Sequence, residues 1–163
     1  MNSPRTPRTP RTPSNNLSSD LSSIQNALNP LKIPWAVSGS MAMKLHANKL
    51  GINLYRKPND IDIVARSKDF PVVVYALGTI GYKIRGPPPV RAVSHLKLYK
   101  GSKSIDILQS GSELAPNLSK TNINLFNKNV PIIKVKNLLA QKKSNNLPSE
   151  ITKRNIQFLN SLL

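Results

Sequence analysis

From residue 18 onward the alternation of apolar and polar positions divides the chain into short segments of distinct type. Residues 19–28 read as a helix, with Ser18 or Ser19 as cap, Asp20 in the first turn and Asn29-Pro30 as the stop. Trp35-Ala36-Val37 reads as a buried strand. Ser38-Gly39-Ser40 is a small-residue turn that opens a helix over 41–50, with Met41, Met43 and Leu45 facing inward and Gly51 ending it. Ile61 to Ala65 is a strand, and a further helix is expected over 68–79, with Pro71 tolerated in its first turn. Gly86-Pro87-Pro88-Pro89 marks a loop. Residues 93–99 and 104–108 alternate as a hairpin turning at Lys100-Gly101-Ser102. Residues 110–122 look irregular, residues 123–125 and 130–133 suggest a short strand pair, and helices over 136–143 and 149–162 finish the chain. This order predicts an α/β (α+β) fold, a mixed β-sheet flanked by helices with two C-terminal helices.

The first 17 residues stand apart. Arg-Thr-Pro occurs three times in succession, at Arg5-Thr6-Pro7, Arg8-Thr9-Pro10 and Arg11-Thr12-Pro13. Proline at every third position favours extended backbone over helix or sheet, so residues 1–17 are expected to be a disordered tail and residues 18–163 the domain.

Charge sharpens this picture. The 163 residues carry 24 Lys and Arg against 7 Asp and Glu, a net +17, which favours an anionic partner such as nucleic acid or a phosphorylated ligand. The absence of cysteine excludes disulfides and thiolate metal sites. No apolar run reaches the roughly 18 residues of a membrane span, and no signal-peptide core is present, so a cytoplasmic protein without membrane association is expected.

The scarce acids are placed informatively. Asp60 and Asp62 sit in Asn59-Asp60-Ile61-Asp62-Ile63-Val64, and Asp106 repeats the pattern in Ser104-Ile105-Asp106-Ile107-Leu108. Side chains two apart on a strand share a face, so Asp60 and Asp62 project together while Ile61 and Ile63 enter the core. With 7 acids in 163 positions, about 0.3 acid-x-acid pairs arise by chance, so the pair alone is a weak motif. The constellation carries more. Carboxylates so close repel unless a cation lies between them, and magnesium prefers a few carboxylates completed by water and phosphate. Gly39-Ser40 lies between a strand and a helix, where free amides and the helix dipole favour phosphate. A nucleoside triphosphate held through divalent metal satisfies both halves.

In these residues the chain resembles the nucleotidyltransferases of the DNA-polymerase-β-like superfamily. Their pattern is an apolar residue, Gly, then Gly or Ser opening a helix, followed by Asp-apolar-Asp-apolar on a strand and a third acid on a later strand. Here it reads Val37-Ser38-Gly39-Ser40, Asp60-Ile61-Asp62-Ile63 and Ile105-Asp106-Ile107. The 19 positions between Ser40 and Asp60 are similar to the branch related to abortive-infection toxins, as is Arg56 four residues before Asp60. The similarity extends to basic residues of the C-terminal helices, Lys142 and Lys153 or Arg154, although Asn155 stands where the family often has an acid. The resemblance implies that Gly39, Ser40, Lys142 and Arg154 bind the nucleotide, and that Asp60, Asp62 and Asp106 hold Mg²⁺ or Mn²⁺. It implies that Asp106 also accepts a proton, and that a nucleotidyl group passes from an NTP to a hydroxyl with release of pyrophosphate.

The positive charge makes RNA, including tRNA, the expected acceptor. Two alternatives remain open on sequence alone. One is a nucleic-acid-binding protein on the same fold without catalysis. The other is a small-molecule nucleotidyltransferase, which would want an acidic acceptor pocket. Elsewhere, His46 and His95 lack a metal partner at standard spacing, and His95 reads as solvent-facing. Trp35, Tyr82 and Tyr99 read as packing residues, and Arg85 and Arg91 as solvated loop cations with a possible phosphate role.

Overall fold

The computed structural model describes residues 17–54, 57–87, 89, 93–112, 118–125, 127–144 and 149–163. The tail expected over 1–17 lies outside these apart from Leu17, and so do Arg56 and Arg91. Among the described residues, seven strands form one mixed sheet in the order β3-β4-β5-β2-β1-β7-β6, accompanied by five α-helices. The strands are β1 (Trp35–Ser38), β2 (Ile61–Ala65), β3 (Lys83–Ile84), β4 (His95–Lys100), β5 (Lys103–Gln109), β6 (Lys120–Leu125) and β7 (Lys128–Ile133). The helices are α1 (Leu17–Leu28), α2 (Gly39–Lys49), α3 (Phe70–Thr79), α4 (Val135–Lys143) and α5 (Glu150–Ser161). The predicted α/β architecture with C-terminal helices is therefore the observed one.

Two central strands place the acids. β2 runs antiparallel to β1 and parallel to β5, with Ser38 opposite Asp62 and Asp62 opposite Asp106. The alternation that drives this is simple: Ile61, Ile63, Ile105 and Ile107 are almost fully buried, so the intervening positions must face the other way. Burying each such isoleucine contributes about 1.5–3 kcal/mol, and a one-residue slip would forfeit all four while forcing Asp62 and Asp106 into the core.

α2 packs against both β1 and β2, and α4 packs against α2 and α5. α1 packs against α3. Gly51, at φ +71°, follows the last turn of α2 and donates its amide to the Asn48 carbonyl. Several boundaries differ from expectation. α1 begins at Leu17, which is buried, so Ser18 and Ser19 lie inside the helix rather than capping it. α2 begins at Gly39, so Gly39 and Ser40 belong to its first turn while Ser38 ends β1. β6 starts at Lys120, inside the stretch expected to be irregular, because it pairs along its length with β7. Strand β3 was not anticipated; its two residues are held by pairing with Tyr99 and Leu98 of β4. Among the described residues no helix is long and apolar enough to cross a membrane.

Candidate active site

The end of β1, the first turn of α2, the start of β2 and the middle of β5 meet around a cavity of about 270 Å³ lined by Ser40, Asn59, Asp60, Asp62 and Asp106. Four of the sequence-derived candidates thus line one space, and a fifth, Gly39, adjoins it. Gly39 has φ +62°, in the left-handed region, and a Cβ built there would lie 2.2 Å from Asp62 Oδ2 and 2.9 Å from its Cγ. No side chain other than glycine's leaves that space to the Asp62 carboxylate. The close approach that glycine permits is therefore, in this structure, that of Asp62.

Each carboxylate has a distinct setting. Asp60 accepts a 2.7 Å hydrogen bond from Ser104 Oγ, two positions before Asp106 on the same face of β5. Asp106 receives the His95 Nε2–H at 2.6 Å on Oδ1, and Lys97 Nζ lies 3.9 Å from Oδ2. His95 and Lys97 share a face of β4, with Lys97 directly opposite Asp106. Asp62 carries the strain of the cluster: its carboxyl is pushed up to about 6. Burial is the main cause, followed by the charge of Asp106, while Lys142 opposes the shift and Asp60 adds to it. A side-chain hydrogen bond with Asp106 adds a last, smaller push in the same upward direction.

Among the described residues no three His, Cys, Asp or Glu side chains form a ready-made metal cage. The donor set nevertheless fits a hard divalent cation: oxygen ligands, no sulfur, and two carboxylates whose repulsion now calls for a proton that a cation would replace. Mg²⁺ and Mn²⁺ meet that description, leaving coordination positions for phosphate and water.

The two basic candidates are placed differently. Lys142, half-buried on α4, acts electrostatically on Asp62. Arg154 is exposed on α5, the helix packed against α4, and does not line the cavity. Sequence reasoning missed Asn59, Ser104, His95 and Lys97 as neighbours of the acids. The period-2 spacing of Ser104 and Asp106 was a usable signal; the β4–β5 register that brings His95 and Lys97 to Asp106 was not. His95 is exposed as expected, its side chain at 40%, yet it is pinned to Asp106. Elsewhere, His46 is buried and donates from Nε2 to the Ile133 carbonyl at 2.7 Å, and burial holds its pKa below the ordinary value.

No protein-family model and no curated protein matches the chain. Solved structures do match, and they define the class: this is the nucleotidyltransferase-like fold. The chain is similar to the lincosamide antibiotic adenylyltransferase LnuA in its lincomycin-bound crystal structure, at 19% identity and TM-score 0.62, over 89% of this chain and 97% of that one. It is similar to the antibiotic-resistance factor ANT(2'')-Ia in solution, at 13% identity and TM-score 0.65, over 90% of this chain and 82% of that one. An antigenic nucleotidyltransferase-like protein from Paracoccidioides brasiliensis matches at 15% identity and TM-score 0.59, over 91% of this chain and 77% of that one.

Proposed function

We propose that the chain is a nucleotidyltransferase that moves a nucleoside monophosphate from an NTP to a hydroxyl acceptor. The observation that carries this reading is the meeting of Asp60, Asp62 and Asp106 with Ser40 of the first helical turn in one cavity. In this reading the α2 amides and the Ser40 hydroxyl hold the triphosphate, where the helix dipole favours negative charge. Asp60, Asp62 and Asp106 would hold Mg²⁺ or Mn²⁺, which supplies neutralisation of the triphosphate and of charge developing on the leaving group. Lys142 adds positive charge beside the same group, and Arg154 a further cation on the neighbouring helix. The acceptor oxygen attacks the α-phosphorus, forming the new P–O bond as the bond to pyrophosphate breaks. Its proton passes to the Asp106 carboxylate. Alignment and electrostatic neutralisation account for most of the rate in such a site.

RNA is the acceptor we favour, because a net charge of +17 concentrates polyanions at the surface. A small hydroxyl-bearing molecule is the second reading, supported by the fold likeness to an antibiotic adenylyltransferase bound to lincomycin and to an antibiotic-resistance factor. The test is incubation of the protein with each α-labelled NTP, Mg²⁺ and total RNA, beside the Asp60→Ala/Asp62→Ala variant. Label is expected in RNA with wild type only. Transfer that survives in the double variant, or none with any NTP and any hydroxyl acceptor, would overturn the proposal.

A further inference from the structure

On β4, Leu96 and Leu98 turn inward, Leu98 completely buried, and His95, Lys97 and Tyr99 occupy the opposite face. The β4–β5 register sets this face alongside the acids: Lys97 lies opposite Asp106, and Tyr99 opposite Ser104, the residue that holds Asp60. Arg85 completes the row. Its guanidinium carbon lies 3.8 Å from the centre of the Tyr99 ring, with Lys97 Nζ at 6.0 Å from the same ring. Arg85 is exposed and its Nη2 donates to the Gly101 carbonyl at 3.4 Å, so the guanidinium is fixed at both the ring and the turn. One face of the guanidinium thus covers Tyr99 in a residue that is exposed as a whole.

We infer that this face of β4 is the docking track for a single-stranded nucleic-acid acceptor, with its hydroxyl end at Asp106 and its backbone and bases running past Lys97 to Arg85. The inference rests on the nucleotidyl-transfer reading and names the acceptor surface of that site. Three features select the ligand. Lysine and arginine neutralise phosphate, and no acid occurs within β4 itself. A guanidinium pre-aligned by an aromatic ring offers a flat surface on which any base can stack. The bases must be unpaired to reach it, so a single strand fits and a duplex, whose base faces are stacked within, does not. An acidic protein would be attracted by the same charges but would gain nothing from the planar arginine.

The experiment measures binding of a short fluorescein-labelled single-stranded RNA of mixed sequence to the full chain by anisotropy, without NTP. Arg85→Ala, Lys97→Ala and Tyr99→Ala are each expected to weaken binding about five- to tenfold, a loss comparable with one stacked base or one to two phosphate contacts. Arg85→Lys, which keeps the charge and loses the plane, is expected to behave closer to Arg85→Ala than to wild type. Lys68→Ala removes the same charge from an exposed position beyond the far end of β2 and is expected to change affinity less than about twofold. Unlabelled single-stranded RNA should compete, and duplex RNA or polyglutamate should compete poorly. Equal losses for Lys97→Ala and Lys68→Ala, full retention in Arg85→Lys, or equal competition by polyglutamate would overturn the track. Track-dependent RNA binding in a protein that transfers no nucleotide would instead overturn the catalytic reading and leave the surface standing, so the two failures are separable.

Discussion

Gly39 and Asp62 form the tightest coupling in the site. A left-handed φ of +62° and a virtual Cβ 2.2 Å from Asp62 Oδ2 make two separate demands on the same residue. The first costs about 1–2 kcal/mol for an L-residue, and the second displaces the carboxylate. Gly39→Ala is therefore expected to destabilise the protein by at least about 2 kcal/mol in denaturant unfolding. In an Asp62→Ala background, where Cγ and Oδ2 are gone, the cost should fall toward the backbone strain alone, so a double-mutant cycle reads out the contact. An additive cycle would mean that the carboxylate does not occupy that space. Asp62 itself is held at the expense of stability. Its folded-state pKa is raised above 3.8 to about 6, so its contribution favours folding at low pH and is lost as pH rises through about 6. Asp62→Asn removes the buried charge and is expected to raise Tm by roughly 2–4 °C at pH 8, a gain of about 1 kcal/mol that closes below pH 6. A variant less stable than wild type at pH 8 would contradict this.

At the scale of elements, α2 is fixed at both ends of its working length. Gly39 seats its start against β2, and His46 ties its last turn to the Ile133 carbonyl of β7. The folded-state pKa of His46 lies below its ordinary 6.5, chiefly through burial, so the neutral donor is the native form. The sign follows directly: above 6.5 folded and unfolded states bind the same proton count at this ring, and as pH falls the unfolded chain takes up the proton first. Stability present above pH 6.5 is thus lost on acidification. His46→Gln keeps an amide donor and removes the titration, and chemical denaturation is expected to show wild type losing more stability than this variant between pH 7 and 5. Parallel profiles would remove His46 from the account. The elements themselves were largely legible from local pattern, because β2 and β5 announce themselves by acids set between isoleucines and α2 by its glycine turn. What escaped was non-local. β3 exists only through pairing with β4, and α1 already includes Leu17, whose side chain is buried. The Asp62–Asp106 register, the Ser104 bond to Asp60 and the His95 bond to Asp106 depend on which strands become neighbours, and no window of sequence contains that choice.

For the whole molecule, few acids and many bases give the arrangement its meaning. A chain of net charge +17 gathers three of its seven acids in one cavity, so the site is a small negative focus in a strongly positive molecule. In the proposed reading such a surface draws phosphate-bearing ligands inward, and the three carboxylates would take them together with a divalent cation. The solved structures that share the nucleotidyltransferase-like fold are at identities of 19% or below, so they speak for the fold, and the residue roles are those proposed above for this chain's own cavity. The most direct measurement is transfer of label from α-labelled NTP to RNA by wild type and Asp62→Asn at equal concentration, with both proteins first shown to be folded. Transfer by wild type and at least a hundredfold loss, about 2.7 kcal/mol, in a variant of equal or greater stability is the expected result. Undiminished transfer by Asp62→Asn would contradict the assignment of this cavity as the catalytic site.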